Sequence, residues 1–271
     1  MNTFRQMLDS AGNHAPLGSW IMSASPIVAE AMGCAGFKWG VLDMEHTPLD
    51  LLDLVHMLQG VASTPMLPVV RVPWNDTVTV KRVLDAGAAT LLFPFVQNAD
   101  EARHAVAAAR YPPLGVRGMA GMSRASRFGT NPNHFESANK QVSVIVQLET
   151  PTAVAQLEAI AAVDGVDALF LGPGDLSGAM GHVGNVTHPE VMEVMRRCAQ
   201  RCKAIAKPVG TVGGTAEVVT QYRAMGYTFV AIASDLGLLM RAAQAAVKTL
   251  AAPDGESLAH AGGTQVQPGG Y

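Results

Sequence analysis

The chain has 271 residues, 49% of them hydrophobic and 15% charged, with a formal net charge of −3. That balance suits one large core under a modest surface, and the absence of a Lys/Arg run excludes nucleic acid and anionic membrane as natural partners. No apolar stretch reaches the length of a membrane span and the start Met-Asn-Thr-Phe-Arg-Gln has no signal-peptide core, so a cytoplasmic location is expected.

Strand-like apolar runs alternate with helical patterns along the chain. Strands are predicted near Gly18–Ala24, Trp39–Met44, Met66–Val72, Thr90–Phe95, Ser143–Leu148, Ala168–Gly172, Pro208–Val212 and Thr228–Ala233. Helical segments lie at Leu49–Gln59, Thr77–Ala86, Asp100–Arg110, Ala153–Ala162, Pro189–Ala206, Ala216–Ala224 and Leu236–Leu250. Eight strands alternating with helical segments predict an α/β fold, the (β/α)8 TIM barrel, as a single domain over residues 1–251. The strands are continuous apolar runs, as expected where both faces are buried. A doubly wound open sheet is the main competitor.

Two segments break the rhythm. Tyr111 to Lys140 reads as a long loop, a length usually reserved for function. Residues 252–271, rich in Gly, Pro, Gln and Ala, read as a flexible tail. Of the three cysteines, Cys198 and Cys202 lie four apart on a predicted helix without further ligands nearby, and are expected to be buried thiols.

In a barrel, catalytic groups come from the C-terminal ends of the strands. Polar residues gather there: Leu42-Asp-Met-Glu-His-Thr-Pro48, Arg71-Val-Pro-Trp-Asn-Asp76, Pro94-Phe-Val-Gln97, Gln147-Leu-Glu149, Gly172-Pro-Gly-Asp175, Gly213-Gly214 and Ser234-Asp235. Glu149 and Asp175 end successive strands, so their carboxylates converge. Such a pair suits a hard divalent cation held by oxygen, the alternative being that each caps the following helix. His46 is the candidate general base, with Asp43, Glu45 or Asp85 as the carboxylate that tunes it. Arg71 offers a planar fork for a substrate carboxylate, or a salt bridge to Asp76 or Glu45. Gly172, Pro173 and Gly174 lead into a helix-like segment whose amides could hold an anionic oxygen. The remaining histidines, His182 and His188 among them, read as surface, loop or capping residues. No lysine ends a strand on this rim, which argues against imine chemistry.

These segments, with Leu84-Asp-Ala-Gly87, Pro94-Phe-Val-Gln-Asn-Ala-Asp-Glu-Ala102, Tyr111-Pro-Pro-Leu-Gly-Val-Arg-Gly118 and Phe170-Leu-Gly-Pro-Gly-Asp-Leu-Ser177, resemble the HpcH/HpaI family of metal-dependent (class II) pyruvate aldolases. The likeness runs over roughly residues 15 to 250. The 4-hydroxy-2-oxoheptanedioate, 2-keto-3-deoxyrhamnonate and 2-dehydro-3-deoxyglucarate aldolases are particularly similar. The resemblance implies retro-aldol cleavage of a 4-hydroxy-2-oxo acid to pyruvate and an aldehyde, in aromatic or sugar-acid catabolism. It implies Glu149 and Asp175 as ligands of Mg²⁺, Mn²⁺ or Co²⁺ and His46 as proton acceptor. Asp85 would raise the basicity of His46 and Asp43 would orient it. Arg71 would stabilise the enolate-like charge, while Gln147, Gly172, Gly174 and Asp175 would hold the keto-acid end. Relatives are usually hexamers, trimers of dimers. Gly174 stands where Ala is commoner, and Pro94-Phe95 and Gly121-Met-Ser-Arg124 differ from relatives where aldehyde specificity could be set. The same architecture also serves acyl-CoA ester lyases and oxaloacetate decarboxylation, and the sequence shows no basic cluster for a CoA ester.

Overall fold

The computed structural model describes residues 3–12 and 14–251; the expected tail at 252–271 lies outside them. Eight parallel strands close a barrel in sequence order: β1 Leu17–Ile21, β2 Trp39–Asp43, β3 Leu67–Arg71, β4 Thr90–Phe93, β5 Ser143–Leu148, β6 Ala168–Leu171, β7 Val209–Gly213 and β8 Phe229–Ser234. Pairing of β1 with β8 completes the closure, and the open-sheet alternative is excluded. The helices are α1 Thr3–Ser10, α2 Pro26–Cys34, α3 Leu51–Val61, α4 Thr77–Asp85, α5 Ala99–Ala108, α6 His134–Gln141, α7 Pro151–Ala155, α8 Leu157–Ala161, α9 Pro173–Ala179, α10 Pro189–Ala204, α11 Ala216–Met225 and α12 Asp235–Ala251.

Two apolar layers follow from the two-residue period of a strand. One face of each strand packs against the helices, through Leu42, Val70, Leu91, Val144, Val146, Leu169 and Val230. The other fills the barrel, where Trp20, Trp39, Val41, Val69, Leu92, Ile145, Phe170 and Phe229 form one buried cluster. Space for the large rings comes from glycines on neighbouring strands. A Cβ on Gly18 would lie 2.3 Å from the Trp39 ring, and one on Gly210 would lie 2.2 Å from Phe229.

The helices depart from the sequence expectation at four places, the first being α1, which no expected segment covers. α2 carries the start signals Ser25, whose side chain accepts from Val28 N–H, and Pro26 at the first helical position. Its composition is apolar almost throughout, so it shows no stripe. The long loop contains α6, which buries only His134 and Ala138. The expected helix over Ala153–Ala162 is two short ones, α7 and α8, meeting at Gln156.

Cys198 and Cys202 are buried free thiols, as expected, and burial pushes them up to about 11 and about 12, out of thiolate chemistry at neutral pH. The chain falls into two compact units, one ending at Leu236 and one beginning at Gly237. The helical residues of the second leave Leu239, Met240, Val247 and Leu250 exposed. Among the described residues, no helix is long and apolar enough to cross a membrane.

Candidate active site

The period that fills the barrel also aims the polar residues. Val41 and Val69 point inward, so Asp43 and Arg71, two residues later, point into the barrel mouth. Ile145 likewise sets Gln147 and Glu149, and Phe170 sets Gly172. Asp43 and Arg71 are register partners on β2 and β3. Arg71 Nε donates to Asp43 Oδ1 at 2.8 Å and Nη2 to Oδ2 at 2.6 Å, a bidentate pair in which Asp43 is 0% and Arg71 6% exposed. The guanidinium lies 5.5 Å from the Trp20 ring centre. Asp76, one expected partner of Arg71, instead caps α4 by accepting from Thr79 N–H.

Glu45, the other expected partner, does reach the guanidinium. Its Oε2 is 2.9 Å from Arg71 Nη1 and 3.8 Å from His46 Nε2. That oxygen is buried and, close as Nη1 stands, accepts no hydrogen bond, while Nε and Nη2 serve Asp43. Burial raises the Glu45 carboxyl, against the pull of Arg71. His46, whose side chain is 60% exposed, stands at the lip beside it.

Glu149 is 2% exposed and follows β5. Its Oε2 accepts from Phe95 N–H at 3.0 Å, and its Oε1 accepts from the Gln147 side-chain amide. Burial first, then the Asp175 and Glu45 charges, push its carboxyl from 4.5 to about 8. Neither acid caps a helix: Thr150 caps α7, and Gly172 precedes α9 with Asp175 exposed in the first turn. Gly172 is buried against the acid, since a Cβ there would lie 2.3 Å from Glu149 Oε1. Gly174 is exposed and has open space about it, so an alanine would fit there.

This donor set fits a divalent cation. Glu149 is buried beside a second carboxylate with too little positive charge in reach, so as a metal-free group it takes a proton instead. Gln147 Oε1 is buried without a hydrogen-bond partner, an acceptor left open beside the acid. An all-oxygen set of this kind suits Mg²⁺, Mn²⁺ or Co²⁺ with positions left for water and substrate.

The structure brings Asp43, His46, Arg71, Gln147, Glu149, Gly172, Gly174 and Asp175 to one rim, and leaves Asp85 out. β3 delivers the chain to α4 at the catalytic rim, and nine residues of helix carry Asp85 about 13 Å towards the other end. There it precedes β4, and Arg117 Nη2 donates to its Oδ1 at 2.8 Å. The expected Asp85–His46 contact is therefore corrected: within one chain the carboxylate beside His46 is that of Glu45. Sequence reasoning also missed Trp20 beneath Arg71 and the Phe95 amide on Glu149. The signal for Phe95 is conformational, a bulky residue at φ +55°, which side chains rarely adopt away from functional sites. Its ring stacks on Trp74 at 6.1 Å, and both are exposed.

Comparison with known proteins identifies the family. The 2-dehydro-3,6-dideoxy-6-sulfogluconate aldolase of Pseudomonas putida is 51% identical over 249 residues, which are 91% of this chain and 98% of the relative. The 5-keto-4-deoxy-D-glucarate aldolase of Enterobacter sp. (strain 638) is 44% identical over 243 residues, 90% of this chain and 94% of the relative. The crystal structure of an HpcH/HpaI aldolase/citrate lyase family protein from Burkholderia cenocepacia J2315 superposes with a TM-score of 0.89 at 41% identity, covering 92% of this chain and 99% of that one. The HpcH/HpaI aldolase/citrate lyase family model matches residues 17–242, and the chain belongs to that family.

Proposed function

We propose that the protein is an aldehyde-lyase that cleaves a 4-hydroxy-2-oxo acid of the 2-keto-3-deoxy sugar-acid type to pyruvate and an aldehyde. The observation that carries this reading is the buried Glu149 carboxylate, pushed to about 8 beside Asp175, with Arg71 and His46 on the same rim. Glu149 and Asp175 hold the divalent ion, which when bound supplies Lewis acidity to the 2-oxo acid.

The chain's own residues do the rest. Asp43 fixes the Arg71 fork from one side, so the guanidinium is held ready for the charge that develops on the enolate oxygen. Gln147 and the Gly172–Asp175 turn hold the keto-acid end. His46 takes the proton of the C4 hydroxyl as the C3–C4 bond breaks, and returns a proton to C3 of pyruvate. Glu45 lies between Arg71 and His46, 2.9 Å from the guanidinium and 3.8 Å from the imidazole. The exposed, stacked Trp74–Phe95 pair borders the aldehyde end. For Asp85 to act on His46 it must come from a neighbouring copy, which accords with a hexamer built from dimers. A cytoplasmic location and one functional domain over residues 1–251 complete the reading.

The test is release of pyruvate from a panel of 4-hydroxy-2-oxo acids, with and without EDTA. Cleavage restored by Mg²⁺, Mn²⁺ or Co²⁺ supports the assignment. Full activity in chelator, or borohydride trapping of a lysine adduct, overturns it, and faster cleavage of acyl-CoA esters transfers it to the ester lyases.

A further inference from the structure

The geometry points to a second divalent-metal site, for a borderline transition ion such as Zn²⁺, formed by His182, His188 and Glu190 in the connection from α9 to α10. Each offers one ligand atom, and the three atoms lie within 4.8 Å of one another. His182 Nε2 and Glu190 Oε2 are 3.0 Å apart, sharing a proton that an ion can replace. Around a tetrahedral Zn²⁺ with bonds of about 2.0–2.1 Å the ligand atoms stand about 3.3 Å apart, so one pair is at that spacing already. Two imidazoles and one carboxylate are a different donor class from the oxygen pair at Glu149 and Asp175. They favour Zn²⁺, Ni²⁺ or Cu²⁺ over Mg²⁺, and three protein ligands leave a position open.

The scaffold holds these groups in place. His182 N–H donates to Ser177 O at 2.8 Å, Asn185 N–H to His182 O at 2.9 Å and His188 N–H to Asn185 O at 3.1 Å, a run of turns with Gly181 and Gly184 at positive φ. His188 then caps α10, its Nδ1 accepting from Glu190 N–H at 3.3 Å. The two rings stack at 3.5 Å with planes 16° apart, so a shared ion requires one ring to turn out of the stack. His188 is the ring free to do so, since the bond that fixes it is long. The histidines are half-buried and Glu190 is exposed, leaving an entry path. Because the connection begins where α9 ends, an ion there ties down the segment that follows Asp175.

The test titrates Zn²⁺ into chelator-stripped full-length protein in excess Mg²⁺, which occupies the oxygen pair, and reads bound Zn²⁺ per chain after equilibrium dialysis. The comparison variant is His182→Ala with His188→Asn, because asparagine is also a good N-cap and keeps α10 intact. The wild type should bind one more Zn²⁺ per chain than this variant. Glu190→Gln should weaken that equivalent by about 10-fold or more, a scale already reached by losing groups that only support ligands. The His182 and His188 imidazole resonances should shift together as Zn²⁺ is added. Equal stoichiometry and affinity in wild type and variant, or resonances that do not move, overturn the site. The readout is metal bound, so it stands whether or not the aldolase reading survives.

Discussion

Burial of Glu149 sets a testable cost on the metal-free protein. Between pH 4.5 and about 8 the folded chain keeps a proton that the unfolded chain has released. Raising the pH therefore favours unfolding, and the contribution of this group, full below pH 4.5, is lost as pH passes about 8. A rise of this size at about 1.4 kcal/mol per pH unit gives an upper bound of about 5 kcal/mol. Glu149→Gln removes the ionisation but keeps an amide of the same shape. In EDTA the variant and wild type should melt together below pH 4.5. The variant should gain as pH rises, by on the order of 10 °C at pH 8.5 for a chain of this size. Saturating Mn²⁺ should then raise the wild-type melting temperature at pH 8.5 and leave the variant where it was. Scanning fluorimetry across pH, with and without Mn²⁺, reads both. A gap that does not change with pH, or a variant that Mn²⁺ stabilises as much as wild type, would refute the reasoning.

Three further outcomes follow from the same geometry. Gly172→Ala places a Cβ 2.3 Å from Glu149 Oε1 and 2.8 Å from Gln147 Nε2, so metal affinity should fall by about 10- to 100-fold, read by isothermal titration. His46→Ala should lower turnover by about 10²- to 10⁴-fold while metal binding stays near wild type, whereas Asp175→Ala should lose both; equal metal loss in the two would make His46 a ligand. Arg71→Lys keeps the charge but breaks the bidentate hydrogen bonding to Asp43, and should raise the KM for the 2-oxo acid by about 10-fold or more, as expected for losing a charge-assisted hydrogen bond worth about 1.5–3 kcal/mol.

Much of the fold was legible because buried parallel strands are apolar on both faces, and all eight runs became strands within a few residues of their expected bounds. The helix α2 escaped because its residues are apolar almost throughout, leaving only Ser25 and Pro26 to mark it. At the site, spacing placed Glu149 and Asp175 on one rim, since consecutive strands are neighbours. It could not choose the partner of Arg71, because that depends on register, and Asp43 became legible only once β2 and β3 were aligned. Asp85 shows the opposite limit. A motif carries a role to a position, but a helix running back from the rim separates that position from His46. His182 and His188 looked ordinary because five residues of turn lie between them in sequence, while the fold stacks their rings.

The central claim is that this rim makes and protonates an enolate of pyruvate, and exchange of pyruvate's methyl protons in D₂O tests it without knowledge of the aldehyde. Proton NMR of pyruvate with the metal-loaded enzyme should show the methyl signal decaying. The decay should stop in EDTA and in Asp175→Ala, and slow by about 10²-fold or more in His46→Ala. A methyl signal that persists with the metal-loaded wild type, or exchange that continues unchanged in EDTA, would contradict the account.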